Sequence, residues 1–291
     1  MILAIASQQI NNLRSAPEPK NRPKHLRTLL LCAAVLCPCL VPAAQIPVRH
    51  KEGLVHGFLT LRTLQGETIA DGDLMQNVHG ERVISRLVFH FKDGSLYDDT
   101  TVFSQRGAFR LISDHLLQKG PAFEHPMELT LHATSGQIKV RYTEEGKERN
   151  ESKHLVLPPD LANGMLLTLL KNISPETAET KLPFVIATPN PRLVKLAITL
   201  RGEESFATGE AQRKAIHYVV KVEIGGLTGA FASLLGKQPP DTHVWILEGE
   251  APAFVKSEGP LAPGSPVWRI ELVSPVWPRA SGASSNDKEV K

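Results

Sequence analysis

The chain has 291 residues, enough for one large β domain or two small ones, and 42% of them are hydrophobic, as in an ordinary globular protein. Its net charge of +3 sits at the front: Arg14, Lys20, Arg22, Lys24 and Arg27 against Glu18 give residues 1–44 a net of +4 and leave −1 for the rest. A body with no net positive charge and no run of Lys and Arg lacks the attraction that drives non-specific nucleic-acid binding, so nucleic acid is excluded as a partner.

Behind the basic front, Thr28 to Val41 is apolar and Pro42-Ala43-Ala44 supplies small residues, the order of a secretory signal peptide cut after Ala44. A membrane anchor is the competing reading, but the run is about 14 residues long and contains Pro38, whereas a span takes about 20. A lipoprotein signal is a weaker reading, because Cys32, Cys37 and Cys39 each follow Leu or Pro where a small residue is wanted. All three cysteines lie in this removable segment, so the mature chain forms no disulfide and offers no thiolate as nucleophile or zinc ligand. The expected setting is a periplasm. The expected organisation is a signal peptide over 1–44, a single antiparallel β domain over 45–277 and a disordered tail over 278–291.

From Leu54 to Val273 the dominant signal is alternation at period two, the mark of strands that bury one face. Weaker runs at 54–63 and 67–78 precede a strand over Val83–Phe91, where Leu87, Phe89 and Phe91 share a face. Lys92-Asp93-Gly94-Ser95 then turns into a strand from Leu96 to Ser104, followed by a weak run at 109–118. Met127, Leu129, Leu131 and Ala133 alternate with polar residues, and after Ser135-Gly136 so do Ile138, Val140 and Tyr142, which makes a hairpin. Further strands are expected at 151–157, 183–188, Leu193–Leu200, Ile216–Ile224, His243–Glu248 and Val267–Val273. About a dozen antiparallel strands imply a mainly β fold, a large curled sheet or half-barrel with one or two helices as plug. Nothing alternates strand with helix, so a parallel α/β fold is excluded.

Two segments break the pattern. After Pro158-Pro159-Asp160, the residues Leu161, Met165, Leu169 and Ile173 recur every fourth position, which predicts a helix over 161–173 with Asp160 as cap. The second segment, Ile224 to Gly236, is apolar and glycine-rich, and reads as a short buried helix or a mobile flap. Leaving Leu227, Phe231, Leu234 and Leu235 in water costs about 1.5–3 kcal/mol each, so they cover the sheet, a ligand or a partner. Gly225 and Gly229 stand at the G-x-x-x-G spacing, which outside a long apolar span is weak grounds for helix pairing.

Catalytic signals are weak. Ten histidines follow residue 44, without a paired His or Cys motif, and their expected roles are structural or solvent-exposed, so neither metal nor cofactor is expected. Ser113, Asp114 and His115 are the residue types of a hydrolytic triad. In a strand, however, Ser113 and His115 stand ~6.6 Å apart, too far for a nucleophile–base hydrogen bond. Asp98 and Asp99 point to opposite faces, and a solvated rim is expected in preference to a calcium or acid–base site.

The element order, about a dozen strands behind a signal peptide with a central helix and a second apolar segment, resembles the curled half-barrel of LolA-like periplasmic lipoprotein carriers. Leu87 to Tyr97 through Phe109 to His115 is similar to uncharacterised exported bacterial β proteins classed as domains of unknown function. The carrier resemblance implies a concave apolar face that holds acyl chains beneath helices. The expected function is therefore non-catalytic binding of an apolar or lipid-like ligand, with Leu161, Met165, Leu169, Leu227, Phe231 and Leu234 lining a hollow. The alternative is an envelope scaffold or assembly factor that docks a protein or membrane surface through 225–236. The third reading is a hydrolase. No transmembrane span is expected after signal cleavage.

Overall fold

Alternating apolar and polar side chains dictate strands with one buried face. The computed structural model describes residues 45–208, 211–223 and 239–273, and fourteen strands form among them. The first eight are β1 (Val55–Thr63), β2 (Thr68–His79), β3 (Arg82–Phe91), β4 (Leu96–Ser104), β5 (Arg110–Lys119), β6 (Met127–His132), β7 (Gln137–Glu144) and β8 (Lys147–His154). A single-turn helix, α1 (Leu166–Leu170), leads to β9 (Glu179–Ile186), β10 (Arg192–Thr208), β11 (Ala211–Glu223), β12 (Thr242–Leu247), β13 (Ala253–Pro260) and β14 (Val267–Val273).

All neighbouring strands are antiparallel and belong to one curled, unclosed sheet of order β8-β7-β6-β5-β4-β3-β2-β1-β14-β13-β12-β11-β10-β9. Two meanders, β1–β8 and β9–β14, meet where β1 pairs with β14, and β8 and β9 remain as edges. Residues 155–178 connect those edges and carry α1. The edges differ in how they are protected. β8 exposes almost every side chain, with charges on both faces, which disfavours pairing with another chain. β9 carries Pro183, and the segment 162–163 hydrogen-bonds to its backbone.

Register stacks the inward side chains in rows across the strands. Leu59, Gly72, Phe89, Tyr97, Gln118 and Met127 form one such row. A Cβ at Gly72 would overlap the Phe89 ring and come 2.6 Å from the Val88 carbonyl oxygen, so only glycine leaves room for that ring. Both meanders supply the core: Leu61, Phe103, Leu129, Leu131 and Ile138 from the first, and Leu182 and Ile198 from the second, are essentially inaccessible.

The expected mainly β, curled architecture is what forms, and several details differ. The predicted helix over 161–173 is helical only at Leu166–Leu170. Gly164 adopts φ 61° one residue before the helix cap, Met165, and Asp160 does not cap it, so the residues before the turn run as irregular chain. β8 begins earlier than expected, and β13 was not foreseen. The apolar segment 225–236, with Leu227, Phe231 and Leu234, lies outside the described residues, as do 1–44 and 278–291. Among the described residues no helix is long and apolar enough to cross a membrane.

Candidate functional site beneath the interior plug

The inward row next to Phe89 and Tyr97 holds the apolar Leu74, Leu87, Leu116 and Leu129, and the row after it changes chemistry. There, consecutive strands β2 to β5 contribute Gln76, Ser85, Thr101 and Asp114, all paired in register and all buried. Thr101 donates to Asp114 Oδ1 at 2.9 Å, and the Gln76 amide reaches Ser85 Oγ at 3.5 Å. Asp99 interrupts the neighbouring leucine row diagonally from Asp114. Its Oδ1 is shut off from solvent without a hydrogen-bond partner among the described residues, and the Tyr97 hydroxyl points at its Oδ2 from 3.5 Å.

Two carboxyls in an apolar interior cannot both ionise cheaply. Asp99 is held well above the ordinary carboxylate range, first by loss of water and then by the charge of Asp114. Burial also raises Asp114, against partial relief from Asp99, Thr101, His115 and Asn163. The Tyr97 hydroxyl is pushed up by burial and by both acids. The pair therefore holds a proton where free carboxylates would have lost theirs.

Above this polar row lies the connection between the two edges. Gly164 is the point of closest approach: a Cβ there would overlap Thr101 Oγ1 and stand 2.8 Å from Asp114 Oδ1. Asn163 accepts from the Val185 N–H at 2.8 Å and donates to the Val185 carbonyl at 2.9 Å, while the Ala162 N–H bonds the Pro183 carbonyl at 2.9 Å. The far end is fastened differently. Asn172 Oδ1 accepts from the Arg49 and His50 amides at 2.9 and 2.7 Å, and Lys171 Nζ lies 2.7 Å from Glu52 Oε2.

Leu161, Met165 and Leu169 are thus brought together in the interior at 0%, 1% and 2% exposure. These side chains pack in one buried cluster with the inward residues of the sheet, such as Leu129, Leu131 and Leu182. Two shallow depressions of about 280 and 470 Å³ lie elsewhere, on β6–β8 and the turn beside them, and none of the three residues lines either.

Asp98 and Asp99 do face opposite ways, yet they form no common solvated rim. Asp98 makes a two-pronged outer-face pair with Arg86 at 2.9 and 2.6 Å, while Asp99 enters the interior. Ser113, Asp114 and His115 stay apart, since Asp114 turns inward and His115 binds Glu128 Oε1 on the outer face at 2.8 Å. Sequence reasoning missed the polar row because each member is one polar residue in an otherwise apolar alternation. The available signal was an Asp or Gln at an inward position.

A second cluster, also unforeseen, covers the outer face of β11–β13, where His217, Trp245 and Lys256 are in register. His217 stacks on Trp245 at 4.2 Å between ring centroids, and Lys256 Nζ sits 4.0 Å from the indole centroid on β12. His217 Nε2 lies 2.9 Å from His243 Nδ1, and its Nδ1 lies 3.0 Å from Glu204. Burial lowers the His217 imidazole below its usual value, and Glu204 opposes that shift. Among the described residues no group of three or more His, Cys, Asp or Glu side chains is placed to hold a metal ion.

No protein-family model matches the chain, and no curated protein matches it. It is similar to the crystal structure of a β-barrel-like protein of a domain of unknown function, DUF1849, from Brucella abortus: 10% identity, 77% of this chain, 98% of that chain and a TM-score of 0.41.

Proposed function

We propose that the protein is an exported, non-catalytic carrier that takes an apolar or lipid-like ligand into the interior of its curled sheet when residues 161–173 are displaced. One observation carries this reading. The sheet remains open between β8 and β9, and the segment that connects those edges buries Leu161, Met165 and Leu169 in the core beneath it. Exchange of plug for ligand replaces one apolar surface with another, so burial opposes the exchange only weakly. The polar row Gln76–Ser85–Thr101–Asp114 gives the uncovered interior hydrogen-bonding groups on one side, suited to a ligand with a polar end. Residues 1–44, basic and then apolar, support the reading as the proposed export signal of a periplasmic protein.

The test is organic extraction of natively purified protein followed by lipid mass spectrometry. The expected result is a defined amphiphile in about equimolar amount. Protein that is empty in every preparation, and that takes up no fatty acid or phospholipid from added vesicles, overturns the reading.

A further inference from the structure

The two ends of the plug are held by different chemistry. At its C-terminal end, Lys171 and Asn172 are tied to residues 49–52 by an ion pair and two amide bonds. At its N-terminal end, residues 162–164 rest on β9 and on Thr101 and Asp114. The carboxyl pair has little freedom to relieve itself within the sheet. Asp99 and Asp114 are fixed on ladder-bonded strands, and apart from Thr101 their register neighbours, Leu87 and Leu116 beside Asp99 and Leu131 beside Asp114, are apolar. The element over the pair that is not part of the ladder is the irregular chain at 160–165.

The geometry points to residues 160–165 as a proton-operated latch: the plug stays seated while Asp99 and Asp114 share a proton, and it lifts to admit water when that proton leaves. This rests on the carrier reading, for which it supplies the regulation. When the carboxyl O–H breaks, the proton passes to the entering water and two facing carboxylates remain. They repel each other and need solvent that the seated plug excludes.

The direction follows from linkage. Both acids are raised above the ordinary value of 3.8, first by burial, so the seated state binds more protons than the lifted one. Seating is fully stabilised below that ordinary value and is lost as pH climbs through the raised one. Asp160, buried beside the latch, is likewise raised by loss of water and acts in the same direction. Tyr97 faces the pair and is also pushed up, so it stays a neutral donor. Among the groups behind the strands, Asp98 adds to the repulsion at Asp99, and His115 favours the charged form of Asp114. The Glu52–Lys171 pair at the far end keeps 171–172 attached as a hinge.

Hydrogen exchange read by mass spectrometry on the full chain tests the latch, using the Ala162 and Met165 amides, from about pH 4 to about pH 9 with intrinsic rates corrected. Release of one proton on opening predicts that protection over 160–165 falls about tenfold per pH unit between the ordinary carboxylate value and the raised one and levels off above it, while β3 amides keep theirs. Asp99→Asn combined with Asp114→Asn removes the slope. Asp99→Asn alone, which keeps the shape of the protonated acid and leaves Asp114 to titrate by itself, moves the window of the slope should the double variant fold poorly. A flat wild-type profile overturns the latch, and so does a slope that is unchanged in the Asn variants. Lipid content measured at each pH separates the two ideas. Bound lipid with flat protection sinks the latch alone, and a slope in a protein that never holds lipid sinks the carrier reading alone.

Discussion

Asn163 pairs with Val185 through its side chain as a neighbouring strand would through its backbone, accepting the Val185 N–H at 2.8 Å and donating to the Val185 carbonyl at 2.9 Å. One amide therefore satisfies two groups of an edge strand and anchors the plug at the same point. Asn163→Ala orphans both groups and is expected to cost about 2–4 kcal/mol. Asn163→Asp retains the acceptor and loses the donor, and it sets a third carboxyl near Asp99 and Asp114. The expectation is that Asn163→Asp is the more damaging of the two at neutral pH, as read from denaturant midpoints. Equal effects would mean the polar row does not sense the plug.

Met165 is 1% exposed at the centre of the plug. Met165→Ala is expected to lower stability by about 2–5 kcal/mol through the lost contacts and the void left behind. If the interior is where a ligand enters, the same variant binds a short fatty acid more tightly than wild type, since less of the plug has to be displaced. Fluorescent fatty-acid titration against a denaturant series reads both effects on one preparation.

The Glu52–Lys171 pair is mostly buried, with side chains 4% and 16% exposed. Lys171→Met leaves Glu52 without its partner and is expected to cost about 3 kcal/mol, whereas replacing both, with Glu52→Leu added, restores most of the loss. A double-mutant cycle by thermal unfolding checks this. Additive single effects would mean the two residues act separately and that the hinge does not depend on their contact.

Trp245 offers a contrast between shape and polarity. Its ring is stacked between His217 and Lys256, but its Nε1–H is buried with no acceptor among the described residues. Trp245→Phe keeps an aromatic face and removes the orphan donor, so it is expected to cost under about 1.5 kcal/mol. Trp245→Ala removes the face as well and is expected to cost about 3–5 kcal/mol. Equal losses in calorimetry would show that the N–H has a partner in solution.

The sequence made the strands legible wherever one face is apolar: β3, β4, β6, β7 and β14 carry that alternation openly. β13 was hidden because Pro252, Gly259 and Pro260 carry turn chemistry at both of its ends. Much of β8 was hidden because an edge strand wetted on both sides has no apolar period to detect. Leu161, Met165 and Leu169 were legible as a buried set from their spacing, though most of that stretch is not helical.

What the sequence determined alone is the strands that bury one face and the one-sidedness of the sheet they form, since both follow from local periodicity that such a segment carries by itself. Tertiary structure alone decided the pairing of β1 with β14, the open seam between β8 and β9, and the alignment of Gln76, Ser85, Thr101 and Asp114 into one row beneath Gly164. Those depend on register between strands, which is set by packing among residues distant in the chain, and a shift of one residue would turn the whole row to the opposite face.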